Sequence, residues 1–217
     1  YLTLYNEPYV QPTEPDYPGG TQELEKAIVR GLYRYSASAA DVSAGNGDTQ
    51  SGNGLRARIL ASGVAMRWAL EAQRLLAAEW GVTAEVWSAT SWTELRRDGL
   101  SCEEWNLLHP DEEARVPYVT SALGEQAAPV VAVSDWIKAV PDQIARWVPA
   151  PYTCLGTDGW GFSDTRAAAR RFFHVDAPSI TLAALWQLVR QGELKPEVLD
   201  EAITKYRLNL DVSQLGT

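Results

Sequence analysis

From residue 55 onward, short apolar runs alternate with longer stretches of helical spacing, and this alternation limits the fold more than anything else in the chain. Residues 55–61, 84–89, 129–133 and 152–156 read as strands. The third, PVVAV, contains no polar residue, as expected of a parallel strand covered on both faces. Between the strands, residues 63–80 set Val64, Trp68, Ala72, Leu75 and Leu76 at helical spacing. A second helical region follows residue 89 and is expected to be interrupted at Asp98 and Gly99, and residues 109–117 read as an irregular crossover. Ser134 is expected to cap a helix bearing Trp136, Ile137, Val140, Ile144 and Trp147, kinked or split by Pro141. The tail predicts three more helices. Ser163 caps the first, with Asp164 in its opening turn. Ser179 caps the second, which bears Leu182, Leu185, Leu188 and Val189 and ends at Gly192. The third starts at Pro196 with Leu199, Ala202, Ile203 and Tyr206 inward. Strands and helices alternating at these lengths predict an α/β fold, a three-layer α/β/α sandwich.

The first fifty residues obey different rules. Four prolines and two closing glycines across residues 7–20 forbid a helix or a central strand, so this stretch is expected to run as a linker over the surface. Thr21 is expected to cap a helix with Leu24, Ala27 and Ile28 on one face, and residues 32–36 turn strand-like. Residues 38–54, rich in Ser, Gly, Asn, Asp and Ala, predict a long mobile loop. Its repeated GNG is a weak phosphate cradle, because no helix follows it directly. The chain opens on YLTLYN with no initiator methionine, which suggests a piece of a longer polypeptide.

Composition removes several function classes. With 217 residues, 46% of them hydrophobic, the chain can bury a full core. A net charge of −9 argues against nucleic acid, since phosphate binding needs clustered Lys and Arg. No apolar run reaches the ~20 residues of a membrane span, so a soluble, cytoplasmic protein is expected. Cys102 and Cys154 have neither the spacing nor the company of a metal site or a redox pair, and both are expected to be free thiols.

In open parallel sheets, function sits beyond the carboxyl ends of the strands. Those ends offer Ser62 and Gly63, residues 90–93 with Trp92, residues 134–136, and residues 157–164. Asp135, Asp158 or Asp164 could act there as an acid or base in a small-molecule crevice. The same residues equally suit helix caps, turns and aromatic anchors for a neighbouring surface, and neither histidine falls in these loops. His109 lies in the crossover before Pro110, and His174 ends a helix, where a cationic ring would suit the dipole. The segment ASGVA at residues 61–65 lacks the three-glycine spacing of a dinucleotide turn. In the turn after the last strand, Gly159, Trp160, Gly161, Phe162, Ser163, Asp164 and Arg166 offer no histidine, no cysteine nucleophile and no phosphate-loop lysine, so they read as a packing surface.

Several segments carry a family resemblance: ILASGVAM at 59–66, TSWTELRRDG at 90–99, EEWNLLHP at 103–110, RVPYV at 115–119, and LGTDGWGFSDTR at 155–166 followed by FFHVDAPSITLAAL. Together they resemble the C-terminal domain of the transketolase family. TELRRDG, EEWNLLHP and GTDGWG resemble, within it, the homodimeric pyruvate dehydrogenases that open the bacterial 2-oxo acid dehydrogenase pathway complexes. The resemblance implies a five-stranded mixed sheet with residues 32–36 antiparallel. It assigns residues 1–20 to the end of a preceding pyrimidine-binding domain and a linker, and residues 21–217 to the C-terminal domain. It implies a parent enzyme that uses thiamine diphosphate and magnesium, pairs with a second subunit as a homodimer, and serves an acyltransferase component. The family's Gly-Asp-Gly and downstream Asn motif, which holds the cofactor and metal, does not occur here, so the resemblance places no catalytic, cofactor or metal residue on this chain. An interaction or regulatory module, an independent ligand-binding domain, or the equivalent domain of another transketolase-family enzyme are the alternatives.

Overall fold

The computed structural model describes residues 8–10, 12–37, 54–125, 128–161 and 163–208. The expected loop at 38–54 therefore lies outside the described residues except for Gly54, and Phe162 lies outside them altogether. Five strands form one sheet in the order β1-β3-β2-β4-β5. They are β1 (Leu32–Ser36), β2 (Arg56–Ala61), β3 (Thr83–Ala89), β4 (Val130–Val133) and β5 (Tyr152–Leu155). Only β1 runs antiparallel, against β3, while β2, β3, β4 and β5 are parallel.

Side-chain alternation assigns each strand residue to one of two cores. Ala57, Ile59, Val86, Val131 and Val133 enter one core, and Leu60, Trp87, Ala89, Val130 and Ala132 enter the other. Both faces of the sheet are therefore covered, which explains why β4 has no polar residue. The first core is closed by α2 (Ala65–Trp80), α7 (Ala177–Arg190) and α8 (Glu197–Tyr206). Leu76, Leu185 and Leu188 are fully buried there, each contributing about 1.5–3 kcal/mol by burial. At its rim the Trp80 indole donates to Tyr206 Oη at 2.8 Å, and Tyr206 donates to Glu79 at 2.6 Å. The second core is closed by α3 (Trp92–Leu108), α4 (Tyr118–Leu123) and the segment holding α5 (Ala139–Asp142) and a 3-10 turn (Ala145–Trp147). The helix α1 (Thr21–Val29) flanks β1, and α6 (Arg166–Phe172) follows β5. This is the expected three-layer sandwich.

Several helix ends differ from the sequence expectation. Thr21 is the first residue of α1 and Gly20 occupies the cap, without a side-chain bond. The α3 helix runs unbroken through Asp98 and Gly99. Asp98 spends its carboxylate on the Tyr118 amide, and Gly99 lies beneath the Trp147 ring, so both positions are explained by contacts with other elements. The segment after Ser134 is split around Pro141, one of the two outcomes expected of that proline, but Ser134 caps no helix. Ser134 Oγ accepts from the Trp136 amide at 3.2 Å, which closes a turn, and only α5 and the 3-10 turn follow. Thr165, not Ser163, caps α6 and accepts from the Ala168 amide. Asp176, not Ser179, caps α7, accepting from the Ser179 amide at 3.1 Å and pairing with Arg171 at 2.6 Å. Pro196 sits just before α8 rather than inside it. The residues 8–10 and 12–20 form no helix or strand.

Both cysteines are free, Cys102 in α3 and Cys154 in β5. Burial, with Asp142 nearby, pushes the Cys154 thiol up to about 12 despite a hydrogen bond with Tyr152 that lowers it, and burial raises Cys102 as well. Iodoacetamide at pH 8 is therefore expected to label Cys154 of the folded chain at least tenfold more slowly than a free thiol, since the thiolate is the nucleophile. Mass spectrometry after unfolding without reductant should find two labels. Rapid native labelling, or a disulfide-linked species, would contradict this.

Candidate functional site

The strand order turns around between β2 and β4, so the crevice of an open α/β sheet would lie beyond Ala61 and Val133. Trp92 fills that position. It is 4% exposed, and its indole N–H donates to Ser62 Oγ at 3.1 Å. The chain has used the usual ligand position for packing.

Next to this plug, the turns after β4 and β5 are tied together. Thr157 donates from its amide to the Trp136 carbonyl at 2.9 Å and from its hydroxyl to the Asp135 carbonyl at 2.6 Å. Asp158 accepts from the Lys138 amide at 2.8 Å and faces the Lys138 ammonium at 3.5 Å. Gly156 lies so close to the Trp136 carbonyl that a Cβ could not be accommodated, so these two turns can meet only with glycine there. The tied edge holds Trp136 (51% exposed), Ile137 (49%) and Trp160 (96%) out to solvent.

The chemistry on offer here is limited. Asp158 is engaged with Lys138, and Asp164 accepts from the Thr165 amide at 2.6 Å. Burial raises the Asp135 carboxyl above the usual range, with Arg170 opposing that rise. No imidazole joins it. The His109 ring stacks on Trp105 at 3.6 Å and donates from Nδ1 to the Trp105 carbonyl. His174 has a φ of 57°, a left-handed position that completes the end of α6, with the His174 and Val175 amides donating to Arg171 and Arg170 carbonyls. Burial lowers its imidazole below the usual value, with Asp176 opposing and Lys138 and Arg171 adding to the fall. Among the described residues no group of three His, Cys, Asp or Glu side chains could hold a metal ion.

Of the residues singled out in the turn, Gly159 (φ 87°), Trp160, Gly161, Ser163, Asp164 and Arg166 are all exposed, with Arg166 opening α6. Trp136 and Ile137 belong to the same edge. The sequence places both on a helix after Ser134, and it also offers residues 134–136 at the strand end as aromatic anchors.

The family model for the transketolase-like TK C-terminal domain matches residues 48–176. The chain belongs to the transketolase-like C-terminal domain family. It is 50% identical over 216 residues to the pyruvate dehydrogenase E1 component of Mycolicibacterium smegmatis, covering 100% of this chain and 21% of that protein. It is 38% identical over 212 residues to the pyruvate dehydrogenase E1 component of Escherichia coli, covering 97% of this chain and 22% of that protein. The transketolase from Leishmania mexicana is similar over 76% of this chain and 19% of its own, at 18% identity and a TM-score of 0.47. This C-terminal domain thus spans only about a fifth of the length of the curated relatives it matches. No helix among the described residues is long and apolar enough to cross a membrane.

Proposed function

We propose that this chain is the C-terminal assembly domain of a homodimeric-type pyruvate dehydrogenase E1 component, inert in catalysis by itself. The rest of such an enzyme would decarboxylate pyruvate on thiamine diphosphate and magnesium and acetylate the lipoyl group of an acyltransferase component. In this reading no step of the reaction is assigned to this chain. One observation carries the reading: the tied edge beyond the carboxyl ends of β4 and β5 presents Trp136, Ile137 and Trp160 to solvent. Large aromatic side chains at a polar-rimmed edge suit a buried contact, with the preceding domain of the same polypeptide or with a second subunit. Gly159, Trp160, Gly161, Phe162, Ser163, Asp164 and Arg166 form the packing turn in this reading.

The test is Trp160→Ala in the full-length enzyme. Burying such a side chain is worth about 1.5–3 kcal/mol, so the variant should shift the dimer towards monomer in sedimentation and lose activity chiefly through assembly. Normal assembly and stability with turnover down by about a hundredfold, or ~2.7 kcal/mol on the barrier, would move the turn into the active site instead.

A further inference from the structure

The α3 helix is apolar on two sides. Trp92 and Leu95 enter the second core, with Gly99 and Cys102 buried in line with them. On the outer side Leu100, Glu104, Leu107 and Leu108 recur at i, i+4, i+7 and i+8 and so share one stripe. Leu100 is 37% exposed, Leu107 79% and Leu108 65%, and Val116 of the crossover adds a fourth apolar side chain at 59%. Single exposed apolar residues are ordinary, but a stripe of them along one helix marks a contact face.

The crossover is held in place without covering that stripe. Asn106 brackets Arg115, donating to its carbonyl at 3.0 Å and accepting from its amide at 2.7 Å. The Arg115 guanidinium lies 3.3 Å over the Trp105 ring, and the His109 ring stacks on it at 3.6 Å. Residues 110–116 are nonetheless all exposed. A surface fixed in this way loses little freedom on binding.

Charge selects the occupant. Residues 103–116 carry five carboxylates, Glu103, Glu104, Asp111, Glu112 and Glu113, against the single guanidinium of Arg115. Glu103 is paired with Arg146, whereas Glu104, Asp111, Glu112 and Glu113 make no ion pair among the described residues. Arg96 precedes Leu100 by one turn and Arg97 is paired with Glu94, so the acidic end of the stripe is the one with Leu107 and Leu108. Two copies meeting at those leucines would set like charges against each other. The preceding chain arrives on the other layer. Tyr9 accepts from Arg170 at 2.6 Å, and Arg170 lies 5.1 Å over Trp68 of α2, which packs on the first core. The tied edge is distant as well, because α3 starts beyond the carboxyl end of β3 and runs back towards the amino ends of the strands.

We infer that the outer face of α3 and its crossover dock another protein, which presents a basic amphipathic helix. Its apolar side chains would cover Leu100, Leu107, Leu108 and Val116, and its Lys or Arg residues would meet Glu104, Asp111, Glu112 and Glu113.

The test is fluorescence anisotropy on the full-length enzyme with a labelled Lys/Leu peptide of about five helical turns, its leucines on one stripe. Saturable binding with a Kd of about 10–100 μM is expected at low salt, weakened about tenfold or more by Leu107→Ser with Leu108→Ser. Glu104→Gln, Asp111→Asn, Glu112→Gln and Glu113→Gln together should weaken it about as much, as should about 0.5 M NaCl. A Glu/Leu peptide with the same stripe, and a Lys/Leu peptide with its leucines spread round the helix, should bind at least about tenfold more weakly. All the altered residues are exposed, so each variant should keep its thermal midpoint within about 2 °C. Independently, Leu107→Cys in the full-length enzyme should react with iodoacetamide as fast as a free thiol and be protected by the peptide. No saturable binding, or equal binding by the serine variant or the Glu/Leu peptide, would overturn the surface. Slow labelling of Leu107→Cys without peptide would show the preceding domains covering it, and a monomeric serine variant in sedimentation would show a second copy there. Either result would overturn the inference too.

Discussion

Glu85→Ala is expected to cost about 1–3 kcal/mol of stability, read as a lowered urea midpoint, because it takes a shared acceptor from the buried Arg58 guanidinium and the Trp87 indole. The Arg58 side chain is 4% exposed and Glu85 11%. Removing the carboxylate takes one partner from Arg58 and the Glu85 acceptor from the Trp87 indole. Arg34, 34% exposed, can turn to water and limits the loss on its side. Replacing both partners, Arg58→Met with Glu85→Leu, should recover most of the stability, since a buried pair exchanged for apolar groups of similar size is often neutral. A single-variant loss below about 1 kcal/mol would mean that water already solvates these groups.

Gly99→Val should cost about 2–3 kcal/mol, against the direction that helix propensity alone would give for filling a glycine in mid-helix. An added Cβ would stand 2.5–2.7 Å from three atoms of the Trp147 ring. That ring cannot retreat cheaply. It is buried in the second core, its indole donates to Glu103 at 2.8 Å, and Arg146, which also pairs with Glu103, lies 4.5 Å over it. Gly99→Ala places the same Cβ and should be destabilised less, its propensity gain of about 1 kcal/mol offsetting part of the strain. A stabilised Gly99→Ala in urea denaturation would show that the ring moves freely and that the close approach is not a constraint.

Both effects depend on residues whose partners lie far away in sequence, and this separates the legible part of the fold from the rest. The strands and most helices were visible because a residue's burial repeats at two or at 3.6 positions, a property of the local chain. PVVAV announced a strand covered on both sides, and Leu182, Leu185 and Leu188 announced α7. The direction of β1 followed only from the family resemblance. Trp160 stood out as a large apolar side chain in a glycine-flanked turn, and it is more exposed than Trp136 or Ile137.

The errors have one physical cause. Asp98 and Gly99 look like a helix break until Tyr118 takes the carboxylate and Trp147 fills the space that glycine leaves. Trp136 and Ile137 fit a helical period, but Thr157 and Asp158 tie their backbone to the next turn and hold them outward. Ser163 and Ser179 are good capping residues that lose to Thr165 and Asp176, because the helix axis, set by packing, decides which oxygen faces the open amides. The buried ion pair is the plainest instance: Arg58 and Glu85 interrupt apolar strands in the sequence, and only strand register makes them partners. Sequence by itself determined which segments become strands and helices, since that depends on local periodicity. The tertiary structure decided where those segments stop, which side chains remain outside and which charges meet, since each of these depends on contacts between residues distant in the chain.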